Sequence, residues 1–224
     1  MKQDVLKFNF KFKSNEFFVT KKNFFAYNLI KEWPNWNNQL VYIYGPEKCG
    51  KTLISEIWKD SSNAIHVSED NFTKIMHDDI DFDFVRKNNW IIDDVDILIE
   101  KKKSSYEGKI LNLINILKIN TDSFLLMTGK KNPKQIDCKL DDLISRISAS
   151  LVVEVGFPDQ DLLCKIIEKY LNDRNIVLSE KCLSYISDRI ERSYKSALYI
   201  AKEIDLKSLE NQSKITTHFL RTLF

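Results

Sequence analysis

The chain has 224 residues, of which 43% are hydrophobic and 29% charged, enough for one large domain or two modest ones with ordinary globular cores. Its 34 basic residues nearly balance its 32 acidic residues, so the formal charge of +2 gives no strong general attraction to nucleic acid. No apolar run approaches the roughly 18 residues that a membrane-spanning helix needs.

The cysteines and the N-terminal residues indicate the compartment. The four cysteines show no Cys-x-x-Cys spacing and have no histidine at a metal-ligand spacing, so we expect reduced thiols. The first residues alternate charged and apolar side chains and lack the continuous apolar segment of a signal peptide. The sequence therefore predicts a cytoplasmic protein with no membrane association.

Short apolar runs alternate with helical patterns through the first two thirds of the chain. After an extended segment, the pattern predicts helices over residues 21–32, 53–59 and 107–118. Apolar runs without polar alternation predict strands buried on both faces, at residues 40–44, 64–67, 90–92, 123–128 and 151–155. Strands that alternate with helices indicate βαβ units, so the predicted fold class is α/β with a five-stranded parallel sheet.

The pattern changes at residues 156–158. Beyond Pro158 no strand pattern remains, and amphipathic patterns predict helices at residues 159–173, 179–190, 193–206 and 213–223. We therefore predict three parts of the chain. They are an extended N-terminal segment over residues 1–20, an α/β core over residues 21–157 and a small helical domain over residues 158–224.

Residues 45–52 match the phosphate-binding loop G-x-x-x-x-G-K-[ST], between a predicted strand and a predicted helix. The glycines let successive backbone N–H groups face phosphate oxygens, and the N-terminus of the following helix adds partial positive charge. The lysine would neutralise the terminal phosphates, and the threonine hydroxyl would ligate magnesium. The nucleotide-binding residues predicted here are Gly45, Pro46, Glu47, Lys48, Cys49, Gly50, Lys51, Thr52 and Leu53.

An acidic pair follows the third predicted strand. Asp93 and Asp94 come directly after an apolar run, which places them at the carboxyl edge of a parallel sheet, where the ligand crevice opens. We expect Asp93 to hold Mg²⁺ with Thr52, and Asp94 to act as a catalytic residue that orients an attacking water. The predicted ligands are therefore ADP or ATP with Mg²⁺.

The order of these motifs resembles the AAA+ ATPases, and within them the clade of the bacterial replication initiator DnaA. Residues 17–19, together with residues 23–26, resemble the initiator segment that lies over the adenine. The resemblance implies that Phe18 and Val19 contact the base. It also implies an α/β core followed by a helical lid.

Two arginines take their expected roles from this resemblance. Residues 143–147 resemble the initiator segment that carries the arginine finger, which implies that Arg146 acts in trans on ATP held by a partner. Residues 190–194 resemble the lid helix that carries the sensor-2 arginine, which implies that Arg192 contacts phosphates of the chain's own nucleotide.

Two features differ from the initiator pattern. The sequence ends at Phe224, directly after the expected lid, where initiators continue into a helix-turn-helix domain that reads duplex DNA. Lys130 stands where the initiator pattern has an acid, which implies weak hydrolysis of the chain's own ATP. With these differences the sequence resembles the Hda family, the regulators that inactivate the initiator.

The N-terminal residues contain a further motif that this resemblance favours. Gln3, Leu6 and Phe8 fit Q-x-x-L-x-F, a form that binds the polymerase sliding clamp. An extended peptide would place Leu6 and Phe8 in an apolar pocket while the Gln3 amide makes the polar contact. The implied partners are DnaA, the sliding clamp and, through the clamp, DNA, and a homodimer is left open.

Three functions follow from these residues. The first is a clamp-bound regulator that stimulates hydrolysis of initiator-bound ATP and so inactivates DnaA. The second is an ATPase that works by itself, like the helicase loaders or the transposition ATPases, since Lys51, Thr52 and the acidic pair are intact. The third is a passive clamp-bound adaptor.

Overall fold

The computed structural model describes residues 17–67, 82–102, 105–119, 122–211 and 215–224. The peptide that contains Gln3, Leu6 and Phe8 lies outside these ranges. The strands are β1 (Leu40–Tyr44), β2 (Ile65–His66), β3 (Trp90–Ile92), β4 (Leu125–Gly129) and β5 (Leu151–Glu154). The helices are α1 (Phe24–Glu32), α2 (Lys51–Ser62), α3 (Phe82–Lys87), α4 (Val95–Lys102), α5 (Ser105–Leu117), α6 (Asp141–Ser148), α7 (Gln160–Asn172), α8 (Glu180–Ser187), α9 (Tyr194–Asn211) and α10 (Thr217–Leu220).

The strands form one five-stranded sheet in the order β2-β3-β4-β1-β5. Every neighbouring pair is parallel, and Tyr42 in β1 lies opposite Met127 in β4 and Val152 in β5. The predicted α/β fold with a five-stranded parallel sheet is confirmed. Because all strands run the same way, the loops after β1, β3 and β4 open at one edge of the sheet.

Alternate strand residues face two different apolar clusters, as the period of a β-strand requires. Val41 and Ile43 of β1 face a cluster that contains side chains from α1, α2 and the C-terminal helices. Leu40 and Tyr42 face a second cluster, formed with α4, α5 and α6. Both faces of the central strand are therefore covered, which explains its unbroken apolar sequence.

The C-terminal helices α7 to α10 form the helical unit that the sequence predicts beyond residue 158. Asp159 and Ser179 cap α7 and α8, since each side chain accepts a hydrogen bond from a backbone N–H in the first turn. The four cysteines are unpaired, as expected. Over the residues that the structure describes, no helix is both long enough and apolar enough to cross a bilayer.

Some elements differ from the predicted ones. β1 and β3 have the predicted bounds, but α2 extends over twelve residues because the P-loop lysine and threonine already form its first turn. The helices α3, α4 and α6 occur where the pattern predicted none. Each is eight residues or shorter, and each lies against the larger apolar surface that stabilises it.

Candidate nucleotide-binding site

Residues 45–50 connect the end of β1 to the start of α2. A Cβ on Gly45 would lie 2.1 Å from the backbone oxygen of Val155, the residue that follows β5, so only glycine fits at this position. Gly50 has φ +105°, a left-handed conformation, and directly precedes α2. The two glycines therefore hold the backbone in the curled shape that presents N–H groups to an anion.

Lys51 is buried at the start of α2. Its ammonium donates to the backbone oxygens of Gly45 and Pro46, both at 2.8 Å. The Sγ atom of Cys49 lies 3.9 Å from the same nitrogen, and burial raises the pKa of the Cys49 thiol. Three residues of the P-loop thus contact the buried ammonium group of Lys51.

A cavity of about 500 Å³ opens above this loop. Its wall combines the P-loop, the ends of β3 and β4, and the start of α9. The lining residues are Glu47, Lys48, Gly50, Lys51, Thr52, Asp94, Lys130, Tyr194, Lys195 and Leu198. The positive side chains, together with the helix N-terminus, make this cavity suited to phosphate groups.

Asp94 belongs to the cavity wall, and its backbone has φ +50°. Its N–H donates to the hydroxyl of Thr128 at 3.0 Å, which holds this uncommon conformation. Burial raises the pKa of the Asp94 carboxyl, and the positive charge of Lys51 partly offsets this effect. Asp94, predicted to orient an attacking water, thus lines the cavity above the P-loop.

Asp93 lies next to this wall and is engaged by other side chains. Its Oδ1 accepts hydrogen bonds from the hydroxyls of Thr128 at 2.9 Å and Ser55 at 3.2 Å. Its Oδ2 is 3.7 Å from Nδ1 of His66. The side chain predicted to hold magnesium therefore joins β3, β4 and α2.

The residues fit a magnesium ion in part. The Thr52 hydroxyl and the Asp94 carboxyl are oxygen donors that line the cavity, which is the ligand chemistry magnesium prefers. Within the described ranges, no group of three or more His, Cys, Asp or Glu side chains could hold a metal. Thr52 and Asp94 would thus hold the ion beside bound phosphates, and there it would add positive charge and orient their oxygens.

Lys130 follows β4 and also lines the cavity. Its backbone N–H and that of Lys131 donate to one carboxylate oxygen of the buried Asp96, at 2.7 and 3.0 Å. Its ammonium pairs with Glu47 of the P-loop, and this contact raises the pKa of Lys130. Asp96 thus fixes the backbone from which Lys130 reaches across the site.

The lid contributes Tyr194, Lys195 and Leu198 from the first turns of α9. A Cβ on Gly50 would lie 3.0 Å from the Tyr194 ring, so the lid contacts the P-loop directly. Lys48 and Glu191 form a second link, with 3.0 Å between ammonium and carboxylate. Arg192, the residue predicted to contact phosphate, is exposed and lies outside the cavity wall.

Lys195 lines the cavity but was not among the residues predicted from the sequence. The spacing of Lys195 and Leu198 on one side of a helix could have indicated a shared face. Which face of α9 turns toward the P-loop depends, however, on the packing of Tyr194. Sequence periodicity alone does not give that packing.

The predicted adenine contacts lie elsewhere on the lid side. Phe18 lines a shallow cleft with Lys165, Lys169 and other residues of α7, while Val19 is exposed. The Phe18 backbone oxygen accepts a hydrogen bond from the Asn23 amide at 2.9 Å. Both side chains lie outside the cavity wall above the P-loop. The base contact assigned to them stays a prediction.

Arg146 lies in the last turn of α6, the helix that precedes β5. Its guanidinium pairs with Asp142 on the preceding turn at 3.0 Å. Both side chains are partly exposed, and neither lines the cavity of their own chain.

The fold and this site together define a P-loop α/β fold with a candidate nucleotide cavity at the carboxyl edge of its parallel sheet. No family model matches the chain. It is related in sequence to the replication initiator DnaA. It is 24% identical over 213 residues to DnaA of Buchnera aphidicola, which covers 88% of this chain and 48% of the relative. It is 26% identical over 221 residues to DnaA of Nautilia profundicola, which covers 92% of this chain and 50% of the relative. The chain thus spans about half the length of these relatives.

A third relative is similar over nearly its whole length. An uncharacterized protein of Haemophilus influenzae is 22% identical over 220 residues, which cover 92% of this chain and 93% of the relative. Solved structures agree on the fold. Domain III of Thermotoga maritima DnaA superposes with a TM-score of 0.74 at 19% identity, with 92% of each chain covered. AMPPCP-bound DnaA of Aquifex aeolicus gives 0.73 at 23% identity, covering 88% of this chain and 66% of that one.

Proposed function

We propose that this chain is a nucleotide-binding regulator of chromosomal replication initiation, related to DnaA, that stimulates hydrolysis of initiator-bound ATP. The position of Arg146 carries the proposal. Within the part of the chain that the structure describes, the guanidinium lies outside the nucleotide cavity and pairs with Asp142 on the same helix, and both side chains are partly exposed. Such a pair contributes little to stability, so the arginine can exchange it for a phosphate of another molecule.

Arg146 would act on the partner's ATP as an arginine finger. Its planar guanidinium would approach the γ-phosphate and stabilise the charge that develops during transfer to water. A finger supplied in trans accelerates hydrolysis by about 10³ to 10⁵. The chain's own acidic residue, Asp94, takes no part in this reaction, which uses the partner's nucleotide site.

The chain's own ADP or ATP would act as a conformational ligand. Phosphates bound by Lys51 and the P-loop N–H groups also lie within reach of Lys195 from the lid. Core and lid already meet at Gly50–Tyr194 and Lys48–Glu191. Occupancy of the cavity would therefore set the orientation of the lid, and with it the surface that meets a partner.

Recruitment is assigned to the N-terminal peptide. Gln3, Leu6 and Phe8 match the clamp-binding form, and this part of the proposal depends on the sequence alone. A clamp on DNA would hold the regulator beside the initiator and raise its effective concentration there. DNA would then be reached through the clamp.

The test measures hydrolysis of radiolabelled ATP bound to cognate DnaA, with this protein added, in the presence and absence of DNA-loaded clamp. We expect clamp-dependent acceleration that is lost in Arg146→Ala. Arg221→Ala is the matched control, since Arg221 is an exposed arginine of α10's C-terminal cap, distant in sequence from the site. Full stimulation by Arg146→Ala, with clamp and nucleotide binding intact, would contradict the assigned role.

A loader-type or transposition-type ATPase is the second candidate, because Lys51, Thr52 and Asp94 line one cavity. It predicts ATP hydrolysis by the chain alone, stimulated by single-stranded DNA and lost in Asp94→Asn. The regulator predicts weak hydrolysis without DnaA. A passive clamp-bound adaptor would instead stay functional when Lys51→Ala abolishes nucleotide binding.

A further inference from the structure

One edge of the sheet is formed by β5, which has β1 as its single neighbour among the described strands. Directly after β5, the Val155 N–H donates to the Tyr44 oxygen at 2.7 Å. Because backbone groups alternate in direction along a strand, residues 151 and 153 also face β1, while Val152 and Glu154 direct their N–H and C=O groups away from it. Such an edge is a template for one more strand.

An apolar groove of about 400 Å³ lies beside this edge, between β5 and α1. Phe24 and Phe25 line it from α1, and they are 47% and 72% exposed. Leu151 and Val153 line it from β5, on the face that packs with α1. Large apolar side chains that stay exposed beside an open strand edge indicate a place where another segment docks.

The sequence contains a segment that suits both the edge and the groove. Residues 6–13 alternate strictly between apolar and polar side chains, which is the period of a β-strand with two different faces. One face would be apolar and the other basic. The apolar side chains are Leu6, Phe8, Phe10 and Phe12, and the basic ones are Lys7, Lys11 and Lys13.

The two faces of this segment match the two sides of β5. On the side of α1, the apolar face would meet the groove. On the other side, Glu154 is exposed, and its carboxylate would meet the lysines.

The segment is also close enough in sequence to reach this edge. The ring of Phe17, the first described residue, stacks on Tyr27 of α1 at 5.1 Å between centroids. The five steps from Phe12 to Phe17 span up to about 18 Å when extended, which exceeds the width of a helix. Just before α1, the Lys22 oxygen accepts a hydrogen bond from the Gly156 N–H at 3.0 Å, so the chain already contacts the end of β5.

The topology favours a parallel strand at this place. Such a strand would connect through α1 to β1, crossing the sheet in the same direction as the unit β1–α2–β2. Side chains of α1 and α2 belong to the same apolar cluster, so both helices lie on one face of the sheet. The two crossovers would therefore have the same hand, as parallel crossovers in one sheet nearly always do.

We propose that residues 6–12 of this chain bind the outer edge of β5 as a sixth, parallel strand, with their apolar face in the groove beside Phe24 and Phe25. Leu6 and Phe8 also belong to the clamp-binding form, so one peptide cannot occupy the sheet edge and the clamp together. This consequence rests on the proposed function. Docking on β5 would then compete with recruitment to the clamp.

The experiment measures amide hydrogen exchange of the full chain, resolved for single residues by nuclear magnetic resonance. The amides of Val152 and Glu154 report on docking, because they point away from β1. We expect them to exchange about tenfold or more slowly in the wild type than in Phe10→Asp, which places a carboxylate in the groove. Asn9→Asp is the matched control, since it adds the same charge on the opposite face and should behave as the wild type.

Two outcomes would overturn the docking. Equal exchange of Val152 and Glu154 in the wild type, in Phe10→Asp and in Phe12→Asp would show that the segment does not bind this edge. Slow exchange that depends on protein concentration would show that a second copy, and not the same chain, occupies it. Circular dichroism of each variant confirms that the chain is folded.

Adding the cognate sliding clamp separates this inference from the proposed function. Saturating clamp should raise the exchange of Val152 and Glu154 in the wild type to the rate in Phe10→Asp. Slow exchange that persists while the clamp is bound would overturn the competition. Slow exchange in a chain that binds no clamp would support the docking and contradict the proposed recruitment alone.

Discussion

At the scale of single residues, Gly50 is constrained both by its own backbone conformation and by the lid residue packed against it. Its φ of +105° disfavours any L side chain, and an added Cβ would lie 3.0 Å from the Tyr194 ring. We therefore expect Gly50→Ala to lower the free energy of unfolding by about 1–3 kcal/mol and to weaken ADP binding. Urea denaturation and calorimetry would measure both effects.

Gly108 provides the matched control for that change. It is exposed within α5, and no atom lies within 4 Å of the position where its Cβ would be. Gly108→Ala should therefore stabilise the chain by about 0.5–1 kcal/mol, because alanine loses less backbone entropy in a helix. If both substitutions changed the free energy of unfolding in the same direction, the strain assigned to Gly50 would be wrong.

Asp94 makes a second prediction at this scale. Burial raises its folded-state pKa, so the unfolded chain loses this proton at a lower pH than the folded chain does. The penalty for the charged form is thus absent below about pH 4, the ordinary Asp pKa, and appears as pH rises through the folded-state pKa. Asp94→Asn should raise the melting temperature at neutral pH and leave it unchanged at acidic pH.

Thermal melts of both proteins across pH would check this dependence. Asp60→Asn removes one carboxylate from an exposed position of α2 and controls for the general loss of charge. A gain for Asp94→Asn that is constant with pH would argue against desolvation of the carboxyl as its cause.

At the scale of elements, the two ends of α7 carry the same residue type with opposite expected effects. Asp159 caps the N-terminus, where its carboxylate accepts the Leu162 N–H at 2.9 Å. Asp173 is the C-terminal cap, where its negative charge meets the negative end of the helix dipole. Asp159→Ala should cost about 1 kcal/mol, whereas Asp173→Ala should be neutral or slightly stabilising.

Chemical denaturation measures both differences. In a chain of this length, 1 kcal/mol corresponds to a shift of about 2–4 °C in melting temperature, so a thermal melt also resolves the pair. Equal losses for the two substitutions would show that the cap contributes nothing beyond general surface charge.

The elements also show which parts of the fold could be predicted from sequence. β1 and β3 were placed correctly because strands buried on both faces have unbroken apolar sequences. The helices α3, α4 and α6 were missed because each is short and at least half of its positions are polar, so tertiary packing decides its conformation.

The residues of the candidate site also divide into those that the sequence predicts and those that depend on packing. The P-loop could be predicted because its glycines and lysine are fixed by local backbone geometry. Lys195 could not, because its place in the cavity depends on how α9 docks on Gly50. The engagement of Asp93 by Ser55, Thr128 and His66 joins side chains from α2, β4 and β2, which no local pattern reveals.

At the scale of the whole molecule, one apolar cluster joins the α/β core to the lid. It runs from Val41 and Ile54 in the core to Leu163 and Ile204 in the lid without interruption. The Tyr194 ring stacks on Phe17, and its hydroxyl accepts a hydrogen bond from the buried Asn23 amide at 3.3 Å. Neither part can lose its structure without exposing apolar surface of the other.

We therefore expect core and lid to unfold together, although the sequence predicts them as separate parts. All four tryptophans precede residue 157, so tryptophan fluorescence reports on the core alone, while far-ultraviolet circular dichroism also reports on the lid helices. In urea the two signals should give one shared midpoint. Tyr194→Ala removes the ring that contacts Phe17 and Asn23. It should cost about 3–5 kcal/mol if the space left by the ring stays empty, and it should separate the two midpoints. A wild-type dichroism transition that precedes the fluorescence change would instead show that the lid opens independently, and that bound nucleotide has to order it.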